Sequence, residues 1–425
     1  MIKSYIKVAR NNSFRNLWFG QVASQIALNM LSFVLVIRVY QETHSNTAVS
    51  LMLLSFGIPS LIFGVIAGGL VDFYDKRAVL FYCNLIRVFL LFAFFLFYKN
   101  IYILFILTIF ISIITQFFIP AEAPSIPHLV DKDELLTANS LFTISFYLST
   151  IIGFVSAGPV IQMFGNRDVY MLMLILMAAA TFFVYHMPAI RVLKKNSEKI
   201  DLDFIGRTIR DGLVFIRENA RIRQSLILMT FSQALIATLA VLAPGFADQV
   251  LKINLTAASY LVLGPAAVGL VIGAFLVGGF GQKYLKGSII LAGILGTAVT
   301  LIFLSVITKA AAPSISIYIF FIRSHILFTN LTVAIVLLFI LGLFNSFINV
   351  PANTILQGDT HHSMRGRVYG VLTSMTGGVS FLPVVFSGVL ADIVGVGKTL
   401  FIIGIIILIA GIYHYFDRRS QYTIL

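Results

Sequence analysis

Long apolar runs alternate with short polar segments along the whole chain, and this alternation is its main structural signal. Each run reaches or approaches the ~20 residues that a helix needs to cross the hydrocarbon core of a bilayer. Because backbone polar groups find no partner in lipid, runs of this length are expected to be helical. The twelve predicted spans are Phe14–Tyr40, Thr47–Val71, Ala78–Tyr98, Ile101–Ile119, Leu135–Phe164, Val169–Met187, Ser225–Leu251, Ala257–Phe280, Ser288–Ile307, Asn330–Ile355, Val368–Val394 and Thr399–Phe416.

The longest polar stretch, 189–224, divides the spans into two sets of six, and two short sequences recur across this division. GGLVDFYDKRAVL, which begins at Gly68, is matched 210 residues later by GGFGQKYLKGSII, which begins at Gly278. IPAEA around Pro120 is matched 231 residues later by VPANT around Pro351. One insertion between spans nine and ten accounts for the difference of 21 residues. The repetition therefore predicts a duplicated six-helix unit.

We predict an all-α integral membrane protein with twelve transmembrane helices in two six-helix pseudo-repeats. Its parts are an N-terminal bundle at 1–188, a cytoplasmic linker at 189–224 and a C-terminal bundle at 225–425. Apolar residues at helical spacing from Leu202 to Ile216 predict an amphipathic helix within the linker, with a plain solvated linker as the alternative. The insertion Lys309–Thr329 is short and charged, so we predict an outer interfacial segment there rather than a thirteenth span.

Composition places these helices in a membrane, and the distribution of charge orients them. The chain is 59% hydrophobic and 11% charged, whereas soluble proteins carry about 25% charged residues. With the N-terminus inside, the inner segments hold 22 Lys and Arg residues and the outer loops hold 6. This excess predicts that both termini are cytoplasmic, and it explains the net charge of +13 without a nucleic-acid partner. We expect a monomer in the bacterial plasma (inner) membrane, in contact with membrane lipids.

Residues capable of catalysis are sparse, which favours a transporter over an enzyme. Cys83 is the single cysteine and lies in an apolar run, so we expect neither a disulfide nor a cysteine-based metal cluster. The sequence contains no phosphate-binding G-x-x-x-x-G-K-[ST] loop. His361 and His362 are the one histidine pair that could serve a membrane-embedded enzyme. We expect no cofactor and no resident metal.

Polar side chains within the spans fall on single helical faces. In span one they are spaced by four residues, and two asparagines repeat this spacing in span ten. Because intramembrane polar groups face a cavity or another helix, the stripes either line a pathway or join helices, and we favour the pathway. The predicted cavity residues, which include neighbouring amide and aromatic groups, are Gln21, Gln25, Asn29, Tyr147, Gln233, Asn345 and Asn349.

Two charged residues within the spans are candidates for coupling. Glu122, at the inner end of span four, is the best candidate proton carrier, because desolvation favours the neutral form of a carboxyl group. The alternative is an interfacial carboxylate that faces cytosolic water. Arg87, in span three, either pairs across the bundle, positions substrate or anchors its own helix.

The charged hinge after span two resembles the inner-loop signature of the major facilitator superfamily, G-x-L-x-D-R-x-G-R-[RK]. Phe73 replaces the usual arginine and Asp75 replaces a glycine. The residues that fit are Gly68, Leu70, Asp72, Lys76 and Arg77. Further stretches resemble the branch of enterobactin exporters and macrolide efflux proteins, namely FRNLWFGQVASQ, FFIPAEAPSIPHLV, LTANSL, RGRVYGV and GVLAD.

This resemblance implies a secondary active transporter that exports amphiphilic small molecules, either drug-like compounds or siderophores, by proton antiport and alternating access. A lysophospholipid transporter and a membrane-embedded lipid-modifying enzyme are the alternatives. The resemblance also implies a conformational latch, in which Asp72 faces a helix N-terminus or an arginine pair. The predicted latch residues are Gly68, Gly69, Asp72, Lys76, Arg77, Arg365 and Arg367.

The latch hypothesis predicts that Asp72→Asn leaves the protein inserted in the membrane but slows transport about fivefold, because a contact with a helix terminus is worth about 1 kcal/mol. Transport rates normalised to membrane abundance measure the effect. Unchanged kinetics would reject the latch.

Overall fold

A computed structural model describes residues 2–71, 74–190, 214–280, 285–307, 315–319, 324–328, 330–360, 368, 371–372, 375–379 and 381–422. Helices dominate this part of the chain. They are α1 (Ile2–Arg10), α2 (Asn12–Thr43), α3 (Asn46–Val71), α4 (Lys76–Leu96), α5 (Ile101–Glu122), α6 (Leu135–Tyr185), α7 (Ala220–Gly245), α8 (Gly264–Phe280), α9 (Lys286–Val306), α10 (Asn330–Asp359), α11 (Phe381–Val394) and α12 (Val396–Tyr422).

The described residues contain eleven helical stretches that are long and apolar enough to cross a membrane. The helical membrane bundle predicted from the sequence is therefore confirmed. The number falls one below the predicted twelve because α6 contains both predicted spans five and six.

α6 is two helices that fold back at Gly165. This residue has φ +82°, a backbone conformation that glycine adopts readily. Gly153 of α6 packs against Asn29 of α2, and Gly20 of α2 packs against Val184 of α6. In a straight helix, residues 153 and 184 would lie ~46 Å apart, whereas positions 20 and 29 are only ~14 Å apart along α2. The two halves of α6 therefore run antiparallel as two spans.

Among the described residues, three π-helical turns modify the spans of the second half. They are Phe246–Leu251 after α7, Ser259–Leu263 before α8 and Met375–Val379 before α11. Lys252, with φ +49°, ends the first of these turns. A single 3-10 turn, Leu255–Ala257, then connects the two spans, and the side chain of Asn254 caps it by accepting from the Thr256 N–H.

A two-stranded hairpin occupies the insertion between spans nine and ten. β1 (Ile315–Ile319) pairs antiparallel with β2 (Ser324–Phe328), with Ile315 opposite Phe328. Strands of five residues are shorter than the ~9–11 residues that a membrane-crossing strand needs. The described strands therefore add no thirteenth span, and the remainder of the insertion lies outside the described residues.

The helices pack as two units. Unit 1 comprises Met1–Glu42 and Leu51–Arg210, and unit 2 comprises Thr43–Ser50 and Asp211–Leu425. The later division falls within the segment 189–224, of which residues 191–213 lie outside the described part. Most of the predicted amphipathic helix lies there too. Its end at Ile216 is helical and packs in an apolar cluster of unit 2 with Ile222 and Leu356.

Polar and apolar contacts join the N-terminal helix α1 to the rest of unit 1. Asn11, between α1 and α2, accepts hydrogen bonds through Oδ1 from two backbone N–H groups at the start of α2. Its Nδ2 donates to the Leu129 carbonyl at 2.9 Å. Lys7 of α1 pairs with Glu134 at 2.7 Å, and this hydrogen bond raises the pKa of Lys7. Val8, on the same short helix, is buried in the apolar cluster of unit 1.

Glycines bring α8 and α10 into backbone contact within unit 2. A Cβ at Gly342 would overlap the carbonyl oxygen of Ala266, and a Cβ at Gly269 would overlap that of Phe339. Ser346 donates from Oγ to the Leu270 carbonyl between the same two helices. Small residues allow this approach, which replaces the hydrophobic driving force that is missing between helices in lipid.

This packing predicts that Gly342→Ala destabilises the protein by about 1–3 kcal/mol, because a methyl group at this position must push two helix backbones apart. Thermal unfolding of the purified protein in detergent measures the loss. Gly358→Ala, at the other end of α10 where a Cβ would meet nothing within 4 Å, is the matched control and should be neutral or slightly stabilising. Equal melting temperatures for the two variants would contradict the packing argument.

Candidate functional site

A fully buried arginine lies at the centre of a polar cluster in unit 1. Arg87 of α4 is 0% exposed. It donates from Nη1 to Asn84 Oδ1 at 3.1 Å and from Nη2 to Thr115 Oγ1 at 3.0 Å. Its guanidinium lies 4.4 Å from the centroid of the Phe118 ring, a favourable cation–π distance. The contacts with Thr115 and Phe118 join α4 to α5, whereas the contact with Asn84 lies within α4.

The predicted proton carrier follows Phe118 by one turn of α5. Glu122 is 9% exposed, and its Oε1 is buried without a hydrogen-bond partner. The charge of Arg87 acts on this carboxyl group, yet no ion pair within 4.0 Å joins these two described residues. α5 ends at Glu122 and continues as the 3-10 turn Ala123–His128. The burial disfavours the alternative of a carboxylate that simply faces cytosolic water.

Two amide side chains add unpartnered polar atoms to the same part of unit 1. Asn84 Nδ2 and Arg87 Nε are buried without hydrogen-bond partners, as are both amide atoms of Gln21 on α2. Gln21 lies one turn from Leu17, which packs in one apolar cluster with Phe118. Orphaned buried polar groups are rare in folded proteins, and each one calls for an explanation, such as an ordered water or a functional role.

Together these residues can bind a proton and polar partners. Glu122 offers a carboxyl group that gains or loses a proton, while Arg87, Asn84 and Gln21 offer N–H donors. A site with several polar partners of this kind can hold ordered water. No cluster of three or more His, Cys, Asp or Glu residues occurs in the described part of the chain. The histidine pair at 361–362 lies outside it.

The rest of the stripe on α2 is less buried. Gln25 and Asn29 are half-buried, and Asn29 Nδ2 donates to the Gln25 carbonyl of its own helix at 2.8 Å. Gly153 of α6 packs on Asn29, so this amide lies at a helix contact. Tyr147, also on α6, is 60% exposed and its ring makes an edge contact with Phe146.

The second stripe is tied to a neighbouring helix within unit 2. Ser232 of α7 donates to Asn345 Oδ1 at 2.8 Å, and Asn349 Nδ2 donates to Ser232 Oγ at 3.1 Å. Asn345 is 3% exposed and Asn349 is half-buried. Sequence reasoning named Gln233, which is exposed, and missed Ser232, the residue beside it that makes these contacts. These bonds give the stripe a role in joining α7 and α10.

The predicted latch is described only in part. Asp72, Arg365 and Arg367 lie outside the described residues, and the structure places Gly68 and Gly69 in the last turns of α3. Lys76 begins α4, and its backbone N–H donates to the Ile190 carbonyl at 3.4 Å. Arg77 is the remaining latch residue, and Asp75 stands where the signature has a glycine. Both make described contacts within unit 1.

Arg77 and Asp75 both stabilise unit 1 from the hinge. Arg77 donates to the carbonyl of Tyr185 at the end of α6 and lies 5.5 Å from the centre of the Tyr185 ring. Asp75 is the N-cap of α4, because its Oδ1 accepts from the Ala78 N–H at 2.9 Å. Aspartate is among the best N-cap residues, whereas glycine supplies no side-chain acceptor. The departure at Asp75 therefore has a structural reason.

Comparisons with known proteins agree with this architecture. The family model described as Major Facilitator Superfamily matches residues 17–325. An uncharacterised MFS-type transporter of Bacillus subtilis, YfiS, is 23% identical over 388 residues, covering 89% of this chain and 86% of its own length. Macrolide efflux protein A of Streptococcus pyogenes is 22% identical over 409 residues, covering 93% of each chain.

Solved structures of transporters share the fold. The POT family transporter PepTSo matches 97% of this chain with a TM-score of 0.71 and 13% identity, over 99% of its own chain. The nucleoside transporter NupG matches 95% with a TM-score of 0.67 and 14% identity, also over 99% of its own chain. At this identity the likeness shows the fold alone.

The pathway hypothesis predicts that cysteines at Gln25 and Asn349 react with small aqueous thiol reagents, because both positions are half-buried and lie on the predicted pathway. Labelling rates of single-cysteine variants in a Cys83→Ala background measure this. A cysteine at Asn345, which is almost fully buried, is the matched control and should react about tenfold more slowly. Inert cysteines at Gln25 and Asn349 would instead favour roles in helix packing.

Proposed function

The chain belongs to the Major Facilitator Superfamily, and we propose that it is a secondary active transporter that exports amphiphilic small molecules by proton antiport. Drug-like compounds and siderophores are the proposed cargo classes, and alternating access is the proposed cycle. The proposal places the protein in a bacterial plasma membrane with both termini in the cytoplasm, since 22 of the basic residues fall in the predicted inner segments.

The observation that carries the proposal is the buried, unpartnered carboxyl oxygen of Glu122. An ionised carboxylate without a partner is expensive in a membrane interior, so a functional role is the default hypothesis for such a residue. Arg87 is a described cation whose charge acts on it. Binding a proton makes Glu122 neutral and removes the cost of burial, whereas losing the proton leaves a carboxylate that Arg87 attracts.

The position of this carboxyl group supports a coupling role. Glu122 ends α5 at the predicted cytoplasmic side, two residues after Pro120, which interrupts the hydrogen bonding of the last helical turn. In the proposed cycle, Glu122 receives a proton that has entered from outside and releases it towards the cytoplasm, while cargo moves outward. One proton is bound and one is released in each such cycle, so no further co-reactant is needed.

The proposed direction of transport and the proposed class of cargo rest on different observations. Similarity to macrolide efflux protein A over 93% of both chains supports export of a bulky amphiphile. The polar groups at the predicted cavity positions are mainly amides, such as Gln25 on α2 and Gln233 on α7. Amides recognise neutral or mixed polar–apolar molecules better than strong anions. The exposed ring of Tyr147 offers apolar contact area beside them.

The proposal predicts that Glu122→Gln abolishes energy-dependent efflux, because the amide keeps the shape and polarity of the side chain but cannot exchange a proton. Accumulation of dyes, macrolides and siderophores in a pump-deficient bacterial host measures this, with and without a protonophore. Wild-type cells should accumulate less of a true cargo than cells with empty vector. The protonophore should remove this difference.

Asp131→Asn is the matched control, since Asp131 is an exposed carboxylate near the same end of unit 1, and this variant should export normally. Protonophore-resistant export, or full export by Glu122→Gln, would reject proton antiport through this residue. Equal accumulation of every compound with and without the protein, once membrane insertion is verified, would reject export of these cargo classes.

A further inference from the structure

A short and largely ordered connection follows Glu122 at the predicted cytoplasmic side of unit 1. It comprises residues 123–134, which we call the inner connection, and it joins α5 to α6 through two 3-10 turns. Ser125 in the first turn is fully buried and donates from Oγ to the Ala121 carbonyl at 2.6 Å. This hydrogen bond ties the inner connection to the end of α5 that carries Glu122.

α1 and the residue after it contact the inner connection at three points. Asn11, directly after α1, donates from Nδ2 to the Leu129 carbonyl at 2.9 Å. Lys7 Nζ pairs with Glu134 Oε1 at 2.7 Å, at the end of the inner connection. Val8 is 0% exposed and belongs to the apolar cluster of unit 1 that also contains Leu129. Two polar contacts and one apolar contact therefore fix α1 on the inner connection.

The same apolar cluster reaches the residues next to Glu122. Phe118 and Ala121 of α5 belong to it together with Val8 of α1. Ala121 directly precedes Glu122, and Phe118 lies one helical turn before it. Closely packed apolar side chains leave no room for water. Water that approaches Glu122 between α1 and α5 must therefore wait until α1 moves away from this cluster.

We propose that α1 is a cytoplasmic lid that controls the access of water and protons to Glu122, and that it opens by detaching from the inner connection. The inference rests on the proposed function, because it concerns the step in which Glu122 releases its proton towards the cytoplasm. Every residue involved belongs to unit 1. The lid therefore opens and closes within a single helical unit.

The size and the contacts of α1 suit repeated opening. α1 has nine residues, and helices shorter than ~12–15 residues are marginal in water without tertiary contacts. The side chain of Lys7 is 72% exposed, so water solvates its ammonium group when the ion pair breaks. The side chain of Glu134 is 12% exposed in the pair and gains water as α1 leaves. Opening of a terminal segment costs far less free energy than global unfolding.

The rate at which a thiol at position 122 reacts with an aqueous reagent tests the lid. The parent protein carries Glu122→Cys in a Cys83→Ala background, and a small thiol reagent is added to inside-out membrane vesicles that contain the full chain. Asn11→Asp removes the N–H donor to the Leu129 carbonyl, while aspartate still caps α2 well. This variant should label about tenfold faster than the parent, because one hydrogen bond is replaced by repulsion between two oxygens.

Matched variants separate the lid from a general effect of charge. Asn12→Asp adds the same charge at the next position, which is exposed, and should label at the parent rate. Lys7→Glu breaks the ion pair and should label faster, whereas Lys7→Glu combined with Glu134→Lys restores opposite charges and should return the rate towards that of the parent. Arg10→Glu reverses another exposed charge on α1 that takes part in no ion pair among the described residues, and should have no effect.

Equal labelling rates in Asn11→Asp and Asn12→Asp would overturn the proposal. Parent labelling as fast as that of a cysteine at the exposed Asp131 would overturn it too. Where Asn11→Asp fails to reach the membrane, the comparison of Lys7→Glu with Arg10→Glu decides in the same way.

The labelling needs neither cargo nor a proton gradient, so its outcome is separate from the efflux experiment with Glu122→Gln. Faster labelling in Asn11→Asp together with full export by Glu122→Gln would reject proton coupling and support the lid as a barrier to water. Unchanged labelling together with loss of export in Glu122→Gln would reject the lid and support the coupling.

Discussion

The need to compensate a charge inside a hydrocarbon layer governs the first helical unit. Arg87 is fully buried, and the protein holds it with Asn84, Thr115 and the face of Phe118. These contacts fix α4 against α5, because Thr115 and Phe118 come from the second helix. The guanidinium is nevertheless not saturated, since its Nε has no partner. Arg87 can therefore attract the ionised form of Glu122. The proposed coupling site then has two charge states, one with Glu122 ionised and one with Glu122 neutral.

The two amide stripes show how one sequence pattern serves two purposes. In unit 1, Gln21 is buried with both amide atoms unpartnered, so its polarity is available to a ligand or to water. In unit 2, Asn345 and Asn349 are bound to Ser232, so their polarity is used to join two helices. The difference arises from a single hydroxyl on the neighbouring helix. Polar spacing alone therefore cannot distinguish a cavity from a helix contact.

Apolar length was sufficient to predict the spans, because a membrane helix needs only its own backbone hydrogen bonds. The predicted Ala78–Tyr98 becomes Lys76–Leu96, with Asp75 fixing the start as an N-cap. The fold-back at Gly165 was also readable, from the polar residues that separate two apolar runs. Contacts between helices were not readable, because they depend on helix rotation and on which helices are neighbours. The partners of Arg87 and of Asn11 belong to this class, although the candidate residues Glu122 and Gln21 could be named from polarity alone.

The turn at Gly165 has a consequence for biosynthesis. One residue with φ +82° joins two spans of α6, so the connection contains no slack. The first of these spans cannot settle at its own depth or rotation before the second arrives, because any shift is transmitted through the turn. We therefore expect the pair to leave the translocon as one helical hairpin, with both spans entering the bilayer together. A longer loop would allow the two spans to insert one after the other.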